Sequence, residues 1–183
     1  MSEVKTSVTQ GRAVAPSQEI ILGLGKFAID DIEVLLTRGG GSFTVEREYR
    51  EIEADGMKAA GKDMITIDRE QPKLLMNMLS ILTKADLTKL YPALKSTQVS
   101  TPAEGIKITS NDDLVIQEAD YHKVTWVGVT NKGTGVKIEI ENAINLENIN
   151  WELVDKSEVI QALTYTGVAE MDAKRCSWSI TWL

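Results

Sequence analysis

Cysteine is nearly absent from this sequence. Cys176 stands alone among 183 residues, which excludes an intramolecular disulfide framework and fits a reducing compartment. Histidine is as scarce. His122 and Cys176 together cannot supply the four ligands of a typical zinc site. A Ser-His-Asp mechanism would need His122 as its base, and no serine stands in a nucleophile-elbow motif for it to serve. No apolar run approaches the roughly 20 residues of a membrane helix. The opening "MSEVKTSVTQGRAVAPSQE" lacks the apolar block of a secretory signal, so residues 1–19 read as a flexible polar arm. Cations are outnumbered, 20 against 27 carboxylates, for a net charge of −7. That argues against tight nucleic-acid binding, which draws on Lys and Arg to displace counterions.

Chemical motifs are equally thin. "GLGK", Gly23 to Lys26, lacks the glycine spacing and the following Ser/Thr of a phosphate loop and reads as a backbone turn. "SNDD", Ser110 to Asp113, lacks the alternating oxygens and closing Glu of a calcium loop and reads as a polar turn. The sequence therefore predicts no catalytic residue, no metal and no cofactor.

What is present is a globular composition, 43% hydrophobic and 26% charged. A chain of this size buries roughly 70% of its unfolded surface, enough for a single domain over 20–183. "GKFAIDDIEVLLT" reads as two short strands around Asp30-Asp31, with Phe27 and Ile29 alternating on the first and Ile32, Val34 and Leu36 on the second. Gly39, Gly40 and Gly41 then permit positive φ and a sharp bend. Phe43, Val45 and Tyr49 share one face of the next strand, while Ile52 and Ala54 have the opposite parity, which predicts a bulge near Arg50-Glu51. "MITID" reads as another short strand.

A helix is predicted near 72–82. Pro72 suits its first turn, and Leu75, Met78, Leu79 and Leu82 follow at i, i+3, i+4, i+7. A shorter helical turn, "DLTKLYPAL", has Asp86 as N-cap and is limited by Pro92. "KSTQVSTPAEG" reads as a loop. The second half is strand-rich: Tyr121 to Thr130, "VKIEIEN", "VIQALTYTGV" and the strictly alternating "CSWSITWL", whose Cys176, Trp178, Ile180 and Trp182 share a face. Strands, then helix, then strands, predict a mainly β (α+β) fold: an antiparallel sandwich or barrel with one flanking helix.

Two features are left open by residues alone. Glu46, Glu48, Glu51 and Glu53 crowd one strand, which is either a solvated face or a surface with an electrostatic task. Trp126, Trp151, Trp178 and Trp182 are either core or interface anchors.

The segments "GKFAIDDIEVLLTRGGGSFTVEREYREIEADG" and "ALTYTGV…CSWSITWL" resemble the opening and closing strands of tail tube proteins (major tail proteins) of long-tailed bacteriophages. The resemblance covers about Gly23 to Leu183 and rests on the order and spacing of these motifs. It implies a β-sandwich or barrel with a flanking helix, assembled into six-fold rings stacked as a hollow tube. The inner strands of such a tube would join into one barrel, and DNA would pass through it without specific binding. It further implies a place in the virion tail, assembly in the host cytoplasm, and contacts with tape measure, tail terminator and distal tail proteins. On this reading Glu46, Glu48, Glu51 and Glu53 face the lumen and Gly39, Gly40 and Gly41 form the bend. Alternatives are the inner tube of a contractile injection system or phage-tail-like bacteriocin, or a free-standing β-sandwich binding module.

Overall fold

The computed structural model describes residues 19–183 except 35, 54, 57, 58, 60, 80–86, 102 and 103. Among the described residues ten strands are formed: β1 Ile21–Ile29, β2 Ile32–Val34, β3 Thr37–Glu51, β4 Ile65–Met78, β5 Leu94–Val99, β6 Gly105–Ser110, β7 His122–Thr130, β8 Gly135–Asn145, β9 Gln161–Gly167 and β10 Trp178–Trp182. The described helices are α1, Leu87–Leu90, and a 3-10 turn at Glu118–Asp120. The described residues are thus mainly β with one small α-helix, and every strand pairing among them is antiparallel. None of the described helices is long and apolar enough to cross a membrane.

One eight-stranded sheet runs in the order β2-β1-β7-β8-β9-β4-β3, with β10 also on β8. Strand β8 is the fork. Its Val136–Ile140 half pairs β10, and its Ala143–Asn145 half pairs β9, so two strands meet end to end along one edge. The sheet curls until its far strands meet. The rings of Phe43 on β3 and Trp178 on β10 lie 5.7 Å apart, and the Phe27 ring of β1 lies against Gly41 of β3. Alternation drives this closure. Phe27, Leu74, Met76, Val124, Val136, Ile140, Leu163 and Tyr165 each occupy the inward parity of their strand and are buried in one cluster. Helix α1 adds Leu87 and Leu90 to that cluster, and its Leu90 carbonyl accepts a 2.8 Å bond from buried Asn145 Nδ2.

Several sequence expectations are corrected. Residues 72–78 are strand: Pro72, Leu74, Met76 and Met78 are buried and alternate with half-buried neighbours. The helical spacing of Leu75, Met78 and Leu79 coexists with a period-2 pattern one residue out of step, and partners on both edges decide between them. β4 pairs β3 along its length and β9 over Lys73–Met78. Pro72 sits where pairing with β9 ends, a position that tolerates its missing N–H. Leu82 and Asp86 lie outside the described residues. "MITID" is the start of the same 14-residue strand. "KSTQVSTPAEG" falls largely in the β5–β6 hairpin, its own two-stranded sheet, and "GLGK" is interior to β1. The β3–β4 register shifts between Glu48 and Tyr49, and the extra residue is Asp68 on β4, so the bulge expected in β3 near Arg50-Glu51 falls on its partner strand instead.

Candidate functional site

Strands β3 and β4 extend beyond the sheet as a two-stranded ribbon. β9 accompanies β4 only from Lys73 onward, while the β3–β4 ladder continues to Glu51 and Ile65. A bond from Ile52 N–H to the Met64 carbonyl at 2.8 Å carries it one step further. Strand β3 is the end of the sheet order, so its outer edge has no partner strand among the described residues. The glycines start this strand. Gly39 and Gly40 take φ of +83° and +71°. Between the Thr37–Met78 and Gly41–Met76 pairs β3 advances four residues while β4 advances two, so the excess loops out. Gly41 then needs its missing side chain for another reason: a Cβ there would strike the Leu75 carbonyl and the Phe27 ring.

The carboxylates on the ribbon are exposed, and several meet cations from the facing strand. Glu46 pairs with Lys73 at 2.7 Å, and Glu48 faces Arg69 at 3.7 Å. Glu51 and Glu53 are exposed near the ribbon tip. On the other face Arg47 binds Glu70, and past the register shift Arg50 binds Asp68, each at 2.7 Å. Across residues 44–53 and 65–73 six carboxylates meet four cations, so most of the acids on β3 and β4 have a cation nearby while the ribbon as a whole stays acidic. Glu70 is the best-held member. It accepts from Trp178 Nε1 at 2.8 Å and from Arg47 Nε at 2.7 Å. These two donors, the indole first, hold its carboxyl below the usual glutamate range. The Arg50 hydrogen bond does the same to Asp68.

Apolar side chains also face solvent here. Tyr49 pairs directly with Ile67; they are 62% and 54% exposed, and Ile65 and Ile52 nearby are exposed too. A two-stranded ribbon is marginal alone in water, and leaving four large apolar side chains uncovered adds to that cost.

The tryptophans divide. Trp126 is buried, its indole occupying the space that side chains on Gly25 and Gly128 would fill. Trp178 is half-buried between Phe43 and Glu70. Trp151 and Trp182 are exposed, in the β8–β9 connection and on the last strand. His122 is buried at the start of β7, with Nδ1 2.6 Å from Asp30 Oδ2. Asp30 Oδ1 also accepts from the Lys123 N–H at 3.0 Å, so this carboxylate ties the β1–β2 turn to β7. Cys176 is half-buried against the Gly167 carbonyl, and burial pushes its thiol up, away from nucleophilic thiolate. Among the described residues no group of three or more His, Cys, Asp or Glu is placed to hold a metal ion.

Sequence reasoning missed the cations opposite the acidic strand. The run "DREQPK" has the right composition, but which of its residues faces which carboxylate depends on a register that a bulge resets. No protein-family model matches the chain, and a search of curated proteins finds no match.

Proposed function

We propose that this protein is a structural subunit that assembles with copies of itself into a hollow tube, as the tail tube proteins that its strands resemble do. The observation that carries the reading is the β3–β4 ribbon: a long strand with an open outer edge and exposed Tyr49, Ile52, Ile65 and Ile67. An open edge with apolar flanks is a liability in a monomer and is relieved when a neighbouring chain covers it. The curled antiparallel sheet, with β10 closing on β8, is compatible with the sandwich or barrel of such subunits. Six-fold rings stacked as a virion tail, with DNA passing through, follow from the resemblance, as do the tape measure, terminator and distal tail partners. In that arrangement Glu46 and Glu48, two residues apart on unbroken strand and on one face, line the passage as exposed carboxylates.

Electron microscopy and sedimentation of the purified protein across a concentration series test this. Rings or tubes are the expected result. A protein that stays monomeric at high concentration would overturn the reading and favour a free-standing β-sandwich binding module. Tubes that recruit an outer sheath would instead favour a contractile injection system.

A further inference from the structure

Two surfaces of opposite charge stand at opposite ends of β9. Past the end of that strand the chain runs back beside β4 and encloses with it a cavity of about 460 Å³, lined by Ile67, Arg69, Ala169, Lys174, Arg175 and Cys176 among others. The carboxylates in its wall, Asp68 and Glu70, are already held by Arg50 and Arg47 at 2.7 Å. Arg69 makes a 3.7 Å contact with Glu48 and donates to Gln71 Oε1 at 3.4 Å, and Lys174 and Arg175 are exposed. A chain of net charge −7 thus gathers three cations around one groove.

Before the start of β9 lies the reverse. The connection 146–160 carries Glu147, Glu152, Asp155 and Glu158 against the single Lys156, and all but Val159 of its residues are exposed. Arg38 engages Glu158 at 2.6 Å. Glu152 and Asp155 flank Leu153 and Val154, which are 80% and 62% exposed.

We propose that the acidic 146–160 connection of one copy docks in the Arg69–Lys174–Arg175 groove of a second copy. The seven residues of β9 hold the two surfaces roughly 20 Å apart, so they cannot meet within one chain. Between chains they are complementary: carboxylates to cations, and Leu153 and Val154 to exposed Ile67. A contact between two different surfaces is heterologous, so it propagates as a closed ring or an open filament. This rests on the self-assembly reading above and names the surfaces that would carry it.

The test is charge reversal with complementation. Glu152→Lys/Asp155→Lys spoils the acidic surface, and Lys174→Glu/Arg175→Glu spoils the groove. Each variant alone should raise the concentration needed for assembly by at least ~tenfold at low salt. An equimolar mixture should assemble again, because each reversed surface then meets its reversed counterpart on the other chain. All four side chains are exposed, and thermal unfolding checks folding separately. Should a reversal unfold the chain, the neutral pairs Glu152→Gln/Asp155→Asn and Lys174→Gln/Arg175→Gln must weaken assembly in its place. Reversed chains that assemble like the native one, or a mixture that stays apart, would overturn this interface while self-assembly of the native chain stood. A native chain that never assembles would remove both.

Discussion

At the scale of single residues, the clearest dependence is of Trp126 on two glycines. Gly25 and Gly128 lie on adjacent strands, paired with each other, and the indole lies over both. Adding one methyl at either position forces the ring or the backbone to move. We expect Gly25→Ala or Gly128→Ala to cost about 1–3 kcal/mol in urea unfolding. Gly23, two residues earlier on β1, faces open space where a methyl would sit, so Gly23→Ala should stay within about 0.5 kcal/mol. Equal effects at positions 23 and 128 would refute the packing account. Glu70 makes a second residue-level prediction. Its folded carboxyl titrates below its unfolded one because Trp178 and Arg47 donate to it. Its contribution is therefore complete above the ordinary glutamate range and is lost as the pH falls through the lowered folded value. Glu70→Gln should flatten the acid limb of the stability profile, and a limb of unchanged slope would rule Glu70 out as its source.

At the scale of elements, the β3–β4 ribbon allows folding to be tested apart from the proposed assembly. Tyr49 and Ile67 pair across it yet are more than half exposed, so the monomer gains little from their burial. We expect Tyr49→Ser with Ile67→Thr to leave unfolding of the monomer within about 1 kcal/mol of native while sharply reducing assembly by sedimentation. Loss of monomer stability without loss of assembly would make these side chains part of the fold instead. The same element exposes the limit of reading period from sequence. Residues 72–82 carry a helical stripe, but Leu74, Met76 and Met78 also alternate, and β9 is more than 80 residues away in sequence. Nothing local to the segment records that partner.

At the scale of the whole molecule, closure depends on the last strand. β10 covers half of one β8 edge, Trp178 reaches Phe43 and Glu70, and Leu183 N–H bonds the Gly135 carbonyl at 2.8 Å. Removing 177–183 should cost at least about 3 kcal/mol, the scale of losing a packed tryptophan, and should abolish cooperative unfolding. A truncated chain that still unfolds cooperatively and assembles would place β10 outside the stabilising structure. Charge is tested at the same scale. Changing Glu46 and Glu48 to lysine moves each chain from −7 to −3 and turns their pairing with Lys73 and Arg69 into repulsion between cations. If those carboxylates line a DNA passage, tubes should still form, and virions carrying the change should eject DNA slowly, with relief as salt rises. Normal ejection at low salt from normal tails would put them elsewhere.

What the sequence by itself determined is the set of strands whose pattern is local: the Phe27–Ile29 and Ile32–Val34 hairpin, the alternation of "VKIEIEN", and the closing "CSWSITWL". Each states its own period within a few residues, and the scarcity of cysteine and histidine needs no fold to be read. Tertiary structure decided the rest, because strand partnership is non-local. It turned the helical stripe at 72–78 into β4 and the "KSTQVSTPAEG" segment into a hairpin. It also buried Trp126 and half-buried Trp178 while leaving Trp151 and Trp182 exposed. The acidic strand shows the reason most directly. Its carboxylates are visible in the sequence, but whether they act as a block of charge or as one half of a set of pairs depends on register, and register exists only once two strands lie side by side.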